Sequence, residues 1–199
     1  MRKRNKVLLI SLVSVFLIVG LIGYLTFRPT EIRQESVKFF RISEAGQSAE
    51  RLFKHMKDGF NRLKHSDTLR QQFLSDYESL PSEEYDEYVE VAFIFTVKNK
   101  SLFVDMKDVQ VMFDNMESET NPYLYTKIVP ETINIQPGEE ENLVLSAYLY
   151  VGDMENEEIE QLLKGMTVEV SSDVAGLWNV GKKVAIDDSI PCENKYYLE

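Results

Sequence analysis

Residues 88–99, YVEVAFIFTVKN, alternate with a period of two. Val89, Val91, Phe93, Phe95 and Val97 fall on one face, and Tyr88, Ala92, Ile94 and Thr96 on the other. That is the pattern of a β-strand, and both faces are apolar enough to predict a central one. Asn99-Lys100-Ser101 then supplies turn chemistry. Residues 108–114 alternate again, with Val109, Val111 and Phe113 together. Asn121-Pro122 marks another turn, followed by predicted strands over 123–129 and 132–136. Pro137-Gly138 reads as the centre of a type II turn leading into a long strand over 142–151.

The rest of the distal half fits the same plan. Acids crowd the start of a predicted helix at 155–164, which Asp153 or Asn156 would cap and Gly165 would stop. Strands at 166–171 and 177–186 follow. About seven short strands joined by turns predict a mainly β domain, an antiparallel immunoglobulin-like β-sandwich over residues 85–190, with 191–199 as a C-terminal tail.

Upstream the period lengthens. In the helical segment from 43 to 64, Ala45, Ala49, Leu52, Phe53, Met56, Phe60 and Leu63 form one apolar stripe. Arg51, Lys54, Lys57, Arg62 and Lys64 lie on the opposite face. A second helical piece is expected after Ser66 or Asp67, ending by Pro81. Residues 31–40 are open to two readings, a short linker or a first strand. Residues 28–84 are thus expected to be a juxtamembrane linker with amphipathic helices. The stripe either packs on the downstream domain or a second copy, or lies on an anionic lipid or wall polymer through its five basic residues.

Residues 7–27, VLLISLVSVFLIVGLIGYLTF, contain no charge. As a helix they would reach about 31 Å, close to the hydrocarbon thickness of a bilayer. Arg2, Lys3, Arg4 and Lys6 make residues 1–6 a basic tail expected to stay in the cytoplasm, with the C-terminal domain extracytoplasmic. A cleaved signal peptide begins similarly, but its apolar core is shorter and a small-x-small site should follow. An uncleaved single-pass signal-anchor is the favoured reading.

Charge is distributed unevenly. Residues 28–72 hold ten Lys and Arg against six acids, whereas residues 73–199 hold eight against 27. Such an acidic distal domain repels nucleic acid, which is excluded as a partner. Cys192 is the one cysteine, so no intramolecular disulfide can form, which suits a bacterial cell-envelope protein. It reads as a partly buried small residue.

No catalytic signature appears. His55 and His65 stand ten residues apart with no metal-ligand spacing and read as surface residues. Residues 152–160, GDMENEEIE, lack the order of an EF-hand loop. Asn99-Lys100-Ser101 matches a glycosylation sequon formally, but a plain turn is preferred. No catalytic, cofactor or metal residue is assigned, and the oligomeric state is open.

FTVKNKS at 95–101, VQVMF at 109–113 and INIQPGEEENLVLSAYL at 133–149 resemble bacterial extracytoplasmic immunoglobulin-like modules. The late-embryogenesis-abundant type 2 sandwich has a similar layout. The resemblance covers residues 85–186 and implies a binding, spacer or assembly role without catalytic residues. The expected function is a non-catalytic envelope protein whose sandwich mediates protein–protein interaction. The alternative is a module sensing a solute or cation, or the lipid or wall-polymer binder above. Tyr123, Tyr125, Tyr148 and Tyr150 are the candidate partner contacts, because tyrosine is favoured at interfaces. Ordinary packing of alternate strand faces competes with that reading.

Overall fold

The computed structural model describes residues 13–20, 30–65, 77–113, 123–126, 133–174, 178–186 and 189–194. Nine strands are found among them: β1 (Thr30–Arg41), β2 (Tyr88–Asn99), β3 (Met106–Phe113), β4 (Tyr123–Thr126), β5 (Ile133–Ile135), β6 (Glu140–Tyr150), β7 (Thr167–Val174), β8 (Trp178–Ala185) and β9 (Cys192–Asn194). They form a five-stranded sheet in the order β4-β6-β2-β1-β9 and a four-stranded sheet in the order β5-β3-β7-β8. Every pairing is antiparallel except that of β1 with β9.

The alternation in β2 places its two faces against different partners. Val89, Val91, Phe93, Phe95 and Val97 join Val37, Phe39, Leu143, Leu145 and Leu149 of the same sheet. Met106, Val109, Val111, Phe113, Val168 and Val170 meet them from the other sheet, so this cluster is the filling of a sandwich-like arrangement. β2 is central, flanked by β1 and β6.

The outer face of the five-stranded sheet is covered near its Arg41 end. Residues Ile42–Ser48 form 3-10 turns and run into helix α1 (Ala49–Lys64). The regular helix starts later than the periodicity predicts because Gly46 adopts φ +56. Ala49, Met56, Phe60 and Leu63 from α1 pack with Phe40, Ile42, Tyr88, Leu124, Tyr125 and Tyr148 in a second buried cluster. Helix α2 (Asn156–Lys164) inserts Ile159 and Leu163 into the first cluster. Its capping box uses Glu155 and Glu158, not Asp153 or Asn156, and the Glu155 amide donates to Glu158 Oε2 at 2.8 Å.

Two expected boundaries move. Residues 30–41 are a strand, not a linker, and pair with β2 from Thr30↔Asn99 to Arg41↔Val89. The domain therefore begins at Thr30 rather than at residue 85, since α1 also contributes to its buried clusters. The start of the expected tail at 191–199 likewise belongs to the domain, because Val37, Lys38 and Phe39 pair with Cys192, Glu193 and Asn194. The Arg41 guanidinium donates to the carbonyls of Asp86, Gly152 and Met154, tying the end of β1 to the entry of β2 and the exit of β6.

No described helix is long and apolar enough to cross a membrane. Residues 13–20 are helical, and the remainder of 7–27 lies outside the described residues, as does most of the expected second helix after Ser66.

Candidate functional site

The four tyrosines do not form an exposed patch. Tyr123, Tyr125 and Tyr148 are buried, which corrects their assignment as exposed contacts, and Tyr150 is half-buried. Tyr123 faces between the sheets, with its hydroxyl 3.3 Å from Met166 Sδ. A register shift between Tyr123 and Tyr125 turns Tyr125 to the outer face, where it lies beneath α1 and donates to Met56 O at 3.0 Å. The Tyr150 ring packs 5.5 Å from Tyr88 and 6.0 Å from Tyr77. The physical reason differs by face: Tyr123 is enclosed between the sheets, while α1 covers the outer face on which Tyr125 and Tyr148 lie.

Burial raises the Tyr123 and Tyr125 phenols, and the Glu90 carboxylate adds to the effect at Tyr125. Tyr88 is pushed up to about 12, chiefly by burial, against the lowering effect of its bond to the Ser82 carbonyl. Unfolded phenols lose their protons near pH ~10, while these stay protonated in the fold. Stability should therefore hold steady up to about pH 10 and fall from there towards pH 12 as the unfolded state is favoured. Ultraviolet titration of the phenols alongside circular dichroism checks this. Titration of every tyrosine near pH ~10 with the fold intact would contradict it.

The basic residues of α1 separate into groups. Arg51, Lys54 and Arg62 are exposed, Lys64 is half-exposed, and Lys57 is engaged with Glu83 at 2.5 Å. The apolar stripe is already occupied by the sheet. A helix buried in this way cannot also lay that stripe into lipid. His55 and His65 are exposed, with His65 Nδ1 2.6 Å from Asn61 O.

Cys192 is half-buried, and its thiol is pushed up to about 11, first by burial and then by the Glu160 carboxylate. Alkylation of the folded protein near neutral pH should run on the order of 100-fold slower than that of an unfolded control, following the thiolate fraction. Equal rates in a timed iodoacetamide reaction would show that Cys192 is not shielded. Among the described residues no group of three or more His, Cys, Asp and Glu is arranged to hold a metal ion.

Among the described residues outside 13–20, the most exposed apolar feature lies elsewhere, in the loop between β2 and β3. Leu102 is 57% exposed and Phe103 80%. The loop beneath them is braced from inside by Asn99, which is fully buried. Its Nδ2 donates to Val104 O at 2.8 Å and to Ile135 O at 2.9 Å, and its Oδ1 accepts from the Ser101 amide at 2.9 Å. Ser101 Oγ accepts from the amides of Phe103 and Val104 at 3.2 and 2.8 Å. Both Asn99 Nδ2 hydrogens are thus committed to carbonyls, which fits the turn reading of Asn99-Lys100-Ser101 over the sequon.

The loop straddles the start of β1. It leaves from Asn99, the register partner of Thr30, and returns at Met106, whose sulfur lies 3.7 Å from Thr30 Oγ1. Lys100 pairs with Glu31 and holds that carboxyl below its usual range, first by hydrogen bonding and then by charge. Glu140 is shared by Arg33 at 3.0 Å and Lys98 at 3.6 Å. Glu139 and Glu141 are also exposed near this end. The sequence signal for Leu102 and Phe103 is two large apolar residues directly after turn chemistry, in a segment without strand alternation.

No protein-family model matches the chain, and no curated protein matches it. Two solved structures are similar to it in part. One is a FixG-related protein from Vibrio parahaemolyticus, 22% identical over 50% of this chain and 80% of that one, with a TM-score of 0.27. The other is the cupredoxin domain of amoB from Nitrosocaldus yellowstonii, 9% identical over 84% of this chain and 94% of that one, with a TM-score of 0.23. Likenesses this distant carry no argument about what the chain does.

Proposed function

We propose that this chain is a non-catalytic, single-pass envelope protein whose extracytoplasmic immunoglobulin-like sandwich serves as an interaction or assembly module. The observation that carries this reading is the position of β1. The apolar run ends at Phe27, and the first strand begins at Thr30. Only Arg28 and Pro29 stand between them, so the domain would be mounted on its anchor with almost no slack. β1 then carries the chain roughly 36 Å from its start to its far end. The exposed Arg51, Lys54 and Arg62 belong to the helix that packs near that far end, where an envelope partner would meet them.

Two measurements test this on the full-length chain in its own membranes. External protease should reach the domain in intact cells, while residues 1–6 stay protected and the protein resists carbonate extraction. Chemical crosslinking should join the domain to a defined envelope protein, and the joint variant Arg51→Glu, Lys54→Glu, Arg62→Glu should lose that product while remaining folded. A protected domain would sink the topology. A bare, uncrosslinked protein would sink the assembly role.

A further inference from the structure

We propose that the Leu102-Phe103 loop docks into the headgroup region of the bilayer beside the anchor, so that the domain is held on the membrane at two points. This rests on the reading of residues 7–27 as a membrane anchor. Three Cα steps separate Phe27 from Thr30, a reach of at most about 11 Å. The headgroup layer on one side of a bilayer is itself roughly 5–7 Å thick. Whatever their conformation, Arg28 and Pro29 therefore cannot lift Thr30 far from the headgroups.

The loop is fastened to that residue on both sides, through the Thr30↔Asn99 pairing and the Thr30–Met106 contact. It continues past the end of the ladder, so its tip is among the parts of the domain that meet the interface first. Its chemistry suits that place. Leucine and phenylalanine are the residues that amphipathic surface segments bury at the acyl boundary. Single exposed apolar side chains are common, but here two are adjacent on a loop whose backbone is pinned by buried hydrogen bonds. Pinning means little further ordering is needed on docking. Charge does not supply the attraction, because Glu139 and Glu141 are exposed close by and Lys100 is engaged with Glu31. The occupant is therefore the apolar and zwitterionic part of the interface rather than an anionic headgroup.

The test uses the full-length chain in phosphatidylcholine vesicles, with Phe103→Trp as reporter in a Trp178→Phe background. Tyr85→Trp, 42% exposed beside the Arg41 end, is the control in the same background. The position-103 reporter should shift to the blue on reconstitution and be quenched by lipid carrying a nitroxide high on its acyl chain. The position-85 reporter should be quenched only by aqueous acrylamide. If Trp178→Phe does not fold, the difference between Phe103→Trp and the unaltered chain, each retaining Trp178, reads the same reporter. A chain that floats with the vesicles while position 103 ignores the lipid quencher overturns the docking and leaves the anchor intact. A chain that fails to float overturns the anchor and the docking with it. Shelter from acrylamide only in native membranes would place a protein on the tip and overturn the lipid assignment.

Discussion

Asn99→Ala is expected to destabilise the domain by about 3–5 kcal/mol, a change large enough to threaten the fold of a chain this size. The argument is one of satisfaction. The side chain serves three backbone groups at once: the carbonyls of Val104 and Ile135 and the amide of Ser101. Alanine leaves all three without that partner, the Ile135 carbonyl and the Ser101 amide in a buried site and the Val104 carbonyl in a part-buried one. Each stranded group costs about 1–3 kcal/mol, partly recovered where water can enter the vacated space. Asn99→Asp keeps the shape and the acceptor but loses both donors, and it turns a carboxylate oxygen towards two carbonyls. It should therefore fail to rescue stability. Denaturant melts of the three proteins decide the matter, and Asp behaving like Asn would show that volume rather than hydrogen bonding matters here.

Gly59→Ala should destabilise the protein by about 1–3 kcal/mol, the reverse of what helix propensity alone gives. Glycine in the interior of a helix costs about 1 kcal/mol relative to alanine, so the local effect of the change is favourable. At this position, however, a Cβ would overlap the Tyr125 hydroxyl and come within 2.8 Å of Tyr125 Cζ. The ring cannot swing away cheaply, because it is packed 5.3 Å from the Tyr148 ring and donates to Met56 O from beneath the helix. Either α1 lifts from the sheet or the hydrogen bond breaks, and overpacking of this kind costs about 1–3 kcal/mol in addition to the lost bond. Tyr125→Phe removes the nearest atom but leaves Cζ in place, so it should relieve the double variant only in part. A stabilised Gly59→Ala protein in thermal melts would show that the helix has room to move.

The long strands were legible because their information is local. β2, β3 and β6 declare themselves through alternation, and the Pro137-Gly138 turn through residues that suit it, with Gly138 at φ +82. β1 was readable only as one of two options, since a bulge between Gln34 and Ser36 shifts its phase part-way along and breaks the alternation. β9 is three residues long, and so short a strand has no period to read. Tyr125 and Tyr148 were misplaced for a different reason. Alternation says that a residue lies on the second face of a sheet, but not whether a helix 60 or more residues upstream covers that face. The apolar stripe of α1 was correctly seen, yet nothing in it named the sheet as its partner. Phe103 carries no periodic signal of its own, because it follows a turn in a segment too short to alternate.

The parallel pairing of β1 with β9 has a mechanical side. Tension applied between Thr30 and the far end of Asn194 would draw two parallel strands in opposite directions along their length. The three residue pairs that join them, with the Val37 amide to Pro191 carbonyl bond at 2.9 Å, would then bear load in shear and yield together rather than unzip one by one. Pulled from its carboxyl side, the sandwich would resist first at the short strand that closes it.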